Sequence, residues 1–124
     1  HLSVSAVIER IRKMEETGVI KEYTIIVDEK KTGNEMTALM EVSLEHPKFF
    51  DSFADAIQKL EYIVSCYYQT GDFDLIIRIS CHSFDELEEI HRQVMSLPGV
   101  DATRTHVVLK NVKNIYSAIR RPDK

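Results

Sequence analysis

The segment YIVSCYYQTGDFDLIIRIS, residues 62–80, contains two strand-like stretches joined by a short polar turn. Residues 62–69 and 73–80 are rich in β-branched and aromatic side chains, which favour extended strands. TGD at 70–72 supplies the glycine that a tight turn between antiparallel strands needs. The segment therefore predicts a β-hairpin, and the sequence on each side of it predicts one helix and one further strand.

The upstream flank begins with MTALMEVSL, residues 36–44, whose alternating apolar and polar residues predict a half-buried strand. Pro47 follows at a position that the first turn of a helix tolerates. Apolar residues then recur at helical spacing and predict the helix that precedes the hairpin: Phe49, Phe50, Phe53, Ala54, Ile57 and Leu60.

The downstream flank begins with Ser83 and Glu86, whose spacing is that of a capping box at a helix N-terminus. The helix that they predict ends at LPG, residues 97–99, because proline and glycine interrupt helices. VDATRTHVVLK at 100–110 predicts the fourth strand, and NIYSAI at 114–119 is compatible with a short fifth one.

The order of elements from residue 36 to residue 110 is therefore β-α-β-β-α-β. Right-handed crossovers fold this order into an antiparallel four-stranded sheet with both helices on one face, an α+β architecture of the ferredoxin-like type. The opposite face would be bare, although it would carry apolar residues such as Ile63 or Ile76. Because a bare apolar face is usually covered by a partner, we expect a homodimer formed sheet to sheet.

The first 35 residues have a different pattern. LSVSAVIERIRKMEETGVI, residues 2–20, predicts an amphipathic helix with Ser3 as its N-cap and Gly18 at its end. VIKEYTIIVD at 19–28 predicts an extended segment, and EKKTGNE at 29–35 predicts a polar linker. The helix has an apolar stripe with nothing before it in the chain to pack against: Val4, Val7, Ile8, Ile11 and Met14.

Composition narrows the class of protein. The chain has 124 residues, enough for one compact domain with a short appendage, and its 44% apolar and 29% charged residues are typical of a globular protein. No apolar run approaches the roughly 20 residues that span a bilayer. Cys66 and Cys81 lack the spacing of a zinc site or a disulfide framework, which fits a reducing cytoplasm. The net charge is −4, yet the segment from Arg104 onward is basic. This segment suits a polyanion or an acidic partner surface, and equally a solvated terminus.

Candidate catalytic or metal-binding groups are few. His82, His91 and His106 do not pair with one another, or with a carboxylate, at a spacing that builds a metal site. QTGDFD at 69–74 is more informative, since a hairpin turn needs its glycine but not two aspartates. Free amides beside a carboxylate would bind, respectively, the carboxylate and the ammonium group of an amino acid. The same residues also suit an Asp-rich turn without a ligand.

Two parts of the chain resemble a known family. LSVSAVIERIRKMEETGVIKEYTIIVD, residues 2–28, closely resembles the end of the helix-turn-helix domain and the hinge strand of the Lrp/AsnC family, the feast/famine transcription regulators. TGDFDLIIRI and LPGVDATRTHVVL resemble the effector-binding and oligomerisation domain of that family. The first stretch agrees with the family pattern at Leu2, Ser3, Ser5, Ala6, Val7, Arg10, Ile11, Glu15, Gly18, Val19, Ile20, Tyr23 and Asp28, while Met14 replaces the usual leucine.

The resemblance implies two domains: residues 1–34, the last part of a winged helix-turn-helix domain with its hinge strand, and residues 35–124, the effector-binding and oligomerisation domain. The first helix would be the recognition helix, and its apolar stripe would pack on two helices absent from this sequence. As given, the chain should therefore bind DNA poorly. The DNA-contacting residues would be Ser3, Ser5, Arg10, Arg12 and Lys13. Alternatively, Arg10 would brace the helix through Glu15 or Glu16.

The resemblance also implies an amino-acid effector, with no cofactor or metal, bound between dimers that assemble into an octamer. The turn backbone would bind the effector carboxylate, and Asp72 would bind its ammonium group. Thr103 and Thr105 match a T-x-T of the family's last strand, and Tyr68 would form a further wall. The expected effector-binding residues are thus Tyr68, Thr70, Gly71, Asp72, Phe73, Thr103 and Thr105.

We therefore expect an amino-acid-responsive, DNA-binding transcription regulator of the cytoplasm without catalytic activity. One alternative is a stand-alone ferredoxin-like sensor that does not bind DNA, and the retained recognition helix argues against it. The other is a small dimeric ferredoxin-like enzyme. That enzyme would need a cofactor or an acid–base pair, for which His82, His91 and His106 are the visible candidates.

Overall fold

The computed structural model describes residues 2–116 of the chain. Within them, short 3-10 turns at Glu29–Thr32 and Pro47–Phe49 accompany the regular elements. From residue 36 onward the elements follow the predicted β-α-β-β-α-β order. In chain order they are α1 (Val4–Glu16), β1 (Met36–Leu44), α2 (Phe50–Gln58), β2 (Ile63–Tyr68), β3 (Leu75–Cys81), α3 (Phe84–Met95) and β4 (Val100–Val107).

The four strands form one antiparallel sheet in the order β2-β3-β1-β4. Helices α2 and α3 both pack on one face of this sheet. The predicted ferredoxin-like α+β architecture is therefore confirmed. The central strands β1 and β3 come from different halves of the β-α-β-β-α-β order, so each half of the domain is completed by the other.

The core lies between the sheet and the two helices. Strand β1 coincides residue for residue with the alternating stretch 36–44, and its residues Ala38, Met40 and Val42 are fully buried. Burying one large apolar side chain contributes about 1.5–3 kcal/mol, so this face of the sheet stabilises the domain. The remaining core residues are Leu75, Ile77, Ile79 and Cys81 from β3 and Phe53, Ile57, Leu87, Ile90 and Val94 from the helices.

The N-terminus of α3 contains the predicted capping serine. Ser83 Oγ accepts a hydrogen bond of 3.1 Å from the backbone N–H of Glu86. The Glu86 carboxylate pairs with the ring of His82, which lies one residue before the cap. The serine half of the capping box is thus confirmed, and the glutamate side chain contacts a histidine ring instead of the backbone of the cap.

The central hairpin has shorter strands and a longer turn than the sequence predicts, because residues 69–74 all belong to the turn. The register of β2 shifts between Ile63 and Ser65. This bulge adds one residue to the strand, so Ile63 lies on the helix-covered face and packs against the core. The expectation that Ile63 lies on the bare face is therefore wrong, whereas Ile76, paired with Glu41, does lie there.

Helix α1 begins and ends where the sequence predicts. Ser3 Oγ accepts a hydrogen bond of 3.2 Å from the backbone N–H of Ala6. Gly18 follows the helix with a φ of 80°, in the left-handed region that favours glycine. No residue of α1 is buried, and the whole apolar stripe stays at the surface.

The predicted hinge strand does not form. Residues 21–28 belong to no strand, because an extended segment becomes a strand only by pairing and the described chain provides it with no partner. Tyr23 instead donates a hydrogen bond of 2.8 Å from its hydroxyl to the Glu15 carboxylate, which raises the pKa of Tyr23. The 3-10 turn within the linker is followed by Gly33, which has a φ of 98°. The predicted domain boundary between residues 34 and 35 stays a prediction.

Strand β4 ends at Val107, three residues earlier than predicted. Strand β1 begins at Met36, so little backbone remains to pair beyond the hydrogen bond of 2.9 Å from the Val108 N–H to the Thr37 carbonyl. Residues 114–116 are not in a strand, and the rest of the predicted fifth strand, 117–119, lies outside the described residues. Each helix in the described range is too short or too polar to cross a membrane.

Candidate functional site

The turn between β2 and β3 is the most distinctive polar feature of the domain. It is closed by a hydrogen bond of 2.9 Å from the backbone N–H of Gln69 to the carbonyl of Asp74. Gly71 has a φ of 115°, which an L side chain rarely adopts. The six residues 69–74 therefore form a defined loop at the end of the sheet where β1 also ends.

The tip of this turn exposes hydrogen-bond donors and one carboxylate. Within residues 2–116, the backbone N–H groups of residues 70–73 have no hydrogen-bond acceptor. Asp72 is exposed and forms no hydrogen bond or ion pair inside the described range. Successive unpaired amides attract anions, and a carboxylate attracts an ammonium group. The turn thus has the two functional groups that recognise the backbone of a free amino acid.

The second aspartate of the turn has a structural role. Asp74 is half-buried, and its Oδ2 accepts a hydrogen bond of 2.8 Å from the backbone N–H of Leu44. This bond satisfies a backbone donor at the end of β1, next to the turn. The two aspartates of the turn therefore differ, because Asp74 fixes the turn to the sheet whereas Asp72 stays exposed.

A charged cluster on the bare face of the sheet contacts the turn. Its centre is Glu41 on β1, whose side chain is only 17% exposed. Arg104 Nε donates a hydrogen bond of 2.9 Å to Glu41 Oε1, and His106 Nε2 lies 3.2 Å from the same oxygen. The hydrogen bond from Arg104, followed by the contact with His106, lowers the pKa of Glu41, while Glu41 raises the pKa of Arg104.

Two contacts connect this cluster to the turn. Gln69 Nε2 donates both to Glu41 Oε2, at 3.4 Å, and to the backbone carbonyl of Phe73, at 3.2 Å. The guanidinium carbon of Arg104 lies 4.6 Å from the centre of the Phe73 ring, a cation–π contact. Phe73 is half-buried by this arrangement. The turn is therefore attached at both of its ends to the bare face.

The other predicted effector-binding residues lie on the opposite, helix-covered face. Thr103 and Thr105 pair with core residues of β1, and Thr103 Oγ1 lies 3.1 Å from His91 Nε2 on α3. The ring of Tyr68 lies 4.9 Å from that of Phe50. One chain therefore brings Thr70–Phe73 together but does not bring Thr103 and Thr105 to them. A pocket that uses all seven residues would need a second chain.

A small cavity of about 40 Å³ lies beside the turn on the helix-covered face. Its walls are mainly apolar, with the Asp74 side chain at one side: Leu44, Pro47, Phe50, Tyr68 and Asp74. The cavity is smaller than the 300–1,000 Å³ typical of small-molecule sites. By itself it is therefore not a complete ligand pocket.

The predicted DNA-contacting residues are spread over the surface of α1. Arg12 pairs with Glu9 and Glu16, one turn away on each side, and the hydrogen bond with Glu9 raises its pKa. Arg10 and Lys13 form no ion pair within the described range, so the alternative of a bracing Arg10 is wrong, and Arg12 has that role. Ser3 Oγ lies 3.2 Å from Ser5 Oγ at the N-terminus of the helix.

The three histidines that an enzyme would use lie in separate places. His82 pairs with Glu86, His91 contacts Thr103, and His106 contacts Glu41 on the other face of the sheet. In the described part of the chain, no group of three potential ligands could hold a metal ion. Burial raises the pKa of both cysteine thiols, Cys66 and Cys81, which lowers their reactivity.

The sequence did not indicate that Glu41, Gln69, Arg104 and His106 lie together beside the turn. The signal for Glu41 was available, since it is the one charged residue of the alternating strand 36–44. The side chains that contact Glu41 could not be predicted from the sequence, because the pairing of Glu41 with Arg104 depends on the register between β1 and β4. That register is set by the packed core and not by a local motif.

Comparisons with known proteins agree with this architecture. The family model of the Lrp/AsnC ligand binding domain matches residues 37–117. The HTH-type transcriptional regulator FL11 of Pyrococcus horikoshii is 38% identical over 112 residues, which cover 90% of this chain and 74% of that protein. The leucine-responsive regulatory protein of Escherichia coli K12 is 32% identical over 115 residues, covering 90% and 70% of the two chains.

A solved structure shows the same fold. A transcriptional regulator of Neisseria meningitidis, crystallised as a complex with L-Met, superposes with a TM-score of 0.89 over 95% of this chain and 78% of its own. Its sequence is 22% identical, so the likeness concerns the fold alone.

Proposed function

The chain belongs to the Lrp/AsnC family of transcription regulators, and from this premise we propose that its β2–β3 turn binds an amino-acid effector. The relatives are named transcription regulators and not enzymes, which confirms the expectation that the chain is not an enzyme. The family model that matches most of the chain is that of a ligand-binding domain, so the regulator responds to a ligand.

The observation that carries this proposal is the exposed tip of the turn. The unpaired amides of residues 70–73 would bind the effector carboxylate, and Asp72 would bind its ammonium group. Both groups belong to every free amino acid, so the turn would recognise the class of ligand. L-Leucine and L-methionine are the first candidates, since one relative is named leucine-responsive and one structural neighbour is an L-Met complex.

Thermal unfolding against a panel of L-amino acids tests this proposal. An amino acid at about 100 times its dissociation constant should stabilise the chain by about 2.7 kcal/mol. Asp72→Ala should abolish that shift, because the effector ammonium group would lose its counter-charge. Asp55→Ala is the matched control, since Asp55 is also exposed but lies on α2, and it should leave the shift intact. A panel in which no amino acid stabilises the chain would refute the proposal.

The bare face of the sheet supports a homodimer. It carries half-buried Leu39 and Ile76 and exposed Tyr67 around the charged cluster. Such a face would be covered by the same face of a second copy, and dimers would assemble further into the octamer, with the effector bound between them. This arrangement would also allow Thr103 or Thr105 of another chain to approach the turn. A cytoplasmic location remains a prediction.

Sedimentation velocity tests the dimer. The chain should sediment as a dimer or a larger assembly, and Ile76→Glu should reduce it to a monomer because a carboxylate would be buried between the sheets. Phe84→Glu is the control, since Phe84 is 67% exposed on α3. A monomeric wild-type chain at micromolar concentration would contradict the sheet-to-sheet dimer.

DNA binding would use the exposed surface of α1. Arg10 and Lys13 are free of ion pairs within residues 2–116 and would neutralise phosphates, whereas Arg12 is held by two glutamates. Ser3 and Ser5, at the N-terminus of the helix, would approach bases or phosphates. The exposed apolar stripe would face the other helices of a helix-turn-helix domain.

A further inference from the structure

The Glu41 carboxylate contacts both of the side chains that link the turn to the bare face, Gln69 and Arg104. One oxygen accepts from Arg104, whose guanidinium lies on the Phe73 ring, and the other accepts from the Gln69 side chain. Gln69 and Phe73 are the residues on either side of the exposed tip 70–72. A single side chain of β1 therefore contacts the residue before this tip directly and the residue after it only through Arg104.

We infer that Glu41 is a positioning residue for the effector, because it holds the turn in the shape in which the amides of residues 70–73 and the Asp72 carboxylate face the same ligand. This inference rests on the proposed function of the turn. Glu41 does not touch the effector in this account. It acts through Gln69 and Arg104, and its role is to order the loop before the ligand arrives.

Glu41 is mostly shielded, and its hydrogen bonds come from a guanidinium, an imidazole and an amide, so at least one is charge-assisted. Without it, Arg104 would lose the partner that keeps its guanidinium on Phe73, and Gln69 would lose one of its two acceptors. The turn would then be held by the Gln69–Asp74 backbone bond, by the bond from the Gln69 side chain to the Phe73 carbonyl and by Asp74.

Order in the free turn matters for affinity. Ordering a flexible loop on binding costs free energy that a preordered loop does not have to supply. Unpaired amides that point in fixed directions can bind a carboxylate at once, whereas the same amides in a mobile loop cannot. Removing Glu41 is therefore expected to weaken effector binding although no contact with the effector is lost.

Backbone ¹⁵N relaxation of the ligand-free chain tests this inference. In the wild type the order parameters of residues 70–73 should be close to the value of about 0.85 for rigid backbone, and in Glu41→Ala they should fall below about 0.6. The strand residues should keep their values in both. Arg104→Ala should loosen the Phe73 end, and the double variant should be no looser than Glu41→Ala alone, because both changes break the same link.

Glu29→Gln is the matched control. Glu29 lies 4.0 Å from Arg78, another residue of the bare face, and that ion pair does not contact the turn. The control should leave the order parameters of residues 70–73 unchanged. Glu41→Gln keeps an acceptor oxygen without the charge, so it should show a smaller loss, and it serves as the second variant if Glu41→Ala does not fold. Unchanged order in both Glu41 variants, or an equal loss throughout the domain, would overturn the inference.

Ligand titration separates this inference from the proposed function. For an amino acid that stabilises the wild type, the dissociation constant should rise about tenfold or more in Glu41→Ala. An unchanged dissociation constant would overturn the positioning role while leaving the effector site intact. If no amino acid binds the wild type, the proposed function fails, and the effector-positioning role fails with it even where relaxation shows that Glu41 orders the turn.

Discussion

Helices α1 and α3 have the same sequence signals, but the apolar face of α1 is exposed and that of α3 is buried. Each is amphipathic, and each is capped by a serine whose Oγ accepts from the backbone N–H three residues later, Ser3 in α1 and Ser83 in α3. Helix α3 buries Leu87, Ile90 and Val94 against the sheet, whereas α1 buries nothing. The sequence pattern therefore specifies a helix with an apolar face, and the rest of the molecule decides whether that face is core or interface.

The largest expected difference between α3 and α1 is the loss of unfolding free energy when an apolar residue is truncated. Ile90→Ala should lower the free energy of unfolding by about 2–5 kcal/mol, because it leaves a cavity in the core. Ile8→Ala on α1 should change it by less than about 0.5 kcal/mol, since Ile8 is 60% exposed. Urea unfolding measures both. Similar losses for the two variants would show that α1 packs on the domain after all.

The next largest difference is expected in the stability cost of replacing the glycine that follows each of the two helices. Gly99, after α3, has a φ of 84°, and a Cβ there would lie 2.1 Å from Cγ of Phe49. Gly99→Ala should therefore cost about 2–4 kcal/mol from backbone strain and overpacking. Gly18, after α1, has a φ of 80° but open space around it, so Gly18→Ala should strain only the helix end. Thermal unfolding of the sheet domain should separate the two variants clearly.

Charges on α1 should affect DNA and not stability. Arg10→Ala and Lys13→Ala should each weaken binding to a DNA duplex several-fold and reduce the slope of log affinity against log salt by about 1, as expected for loss of one phosphate contact. Arg12→Ala should have a smaller effect, since Glu9 and Glu16 already occupy its guanidinium. Fluorescence anisotropy at several salt concentrations, on the protein as expressed from its gene, measures this. Equal effects of all three substitutions would contradict the distinction.

The smallest expected effect is on the stability of the folded chain at acidic pH, through Glu41 on the bare face. The pKa of Glu41 is lowered below its ordinary value of 4.5, chiefly by Arg104. Its ionised form therefore stabilises the folded chain above pH 4.5, and this contribution is lost as the pH falls through the lowered pKa. Glu41→Gln should flatten that part of the acid limb in unfolding curves, and Glu29→Gln should not. An acid limb identical to that of the wild type would argue against the Glu41–Arg104 pair.

Much of the fold could be predicted from the sequence because the signals were local. The alternation of residues 36–44, the capping serines and the glycine at position 18 each specify a local conformation without help from distant residues. The bulge that moves Ile63 to the core face and the missing hinge strand could not be predicted in this way. Both depend on strand partners, one present in the chain and the other not found among residues 2–116.

The residues of the candidate site also fall into those that local sequence predicts and those that depend on strand pairing. The turn residues Thr70–Phe73 were predicted together because they are adjacent in sequence. Thr103 and Thr105 were added from the resemblance, and the alternation of β4 directs them to the face opposite Arg104. Glu41 was missed because its role arises from strand register. The functional groups of the turn could thus be predicted from the sequence, whereas the contacts that orient the turn could not.

The most direct test of the central claim is an NMR titration of the ¹⁵N-labelled chain with each amino acid of the panel, L-leucine and L-methionine first. We expect saturable chemical-shift changes that are largest at the backbone amides of residues 70–73 and absent in Asp72→Ala. Shifts centred elsewhere in the domain, or none with any amino acid, would contradict the claim that this turn is the effector site.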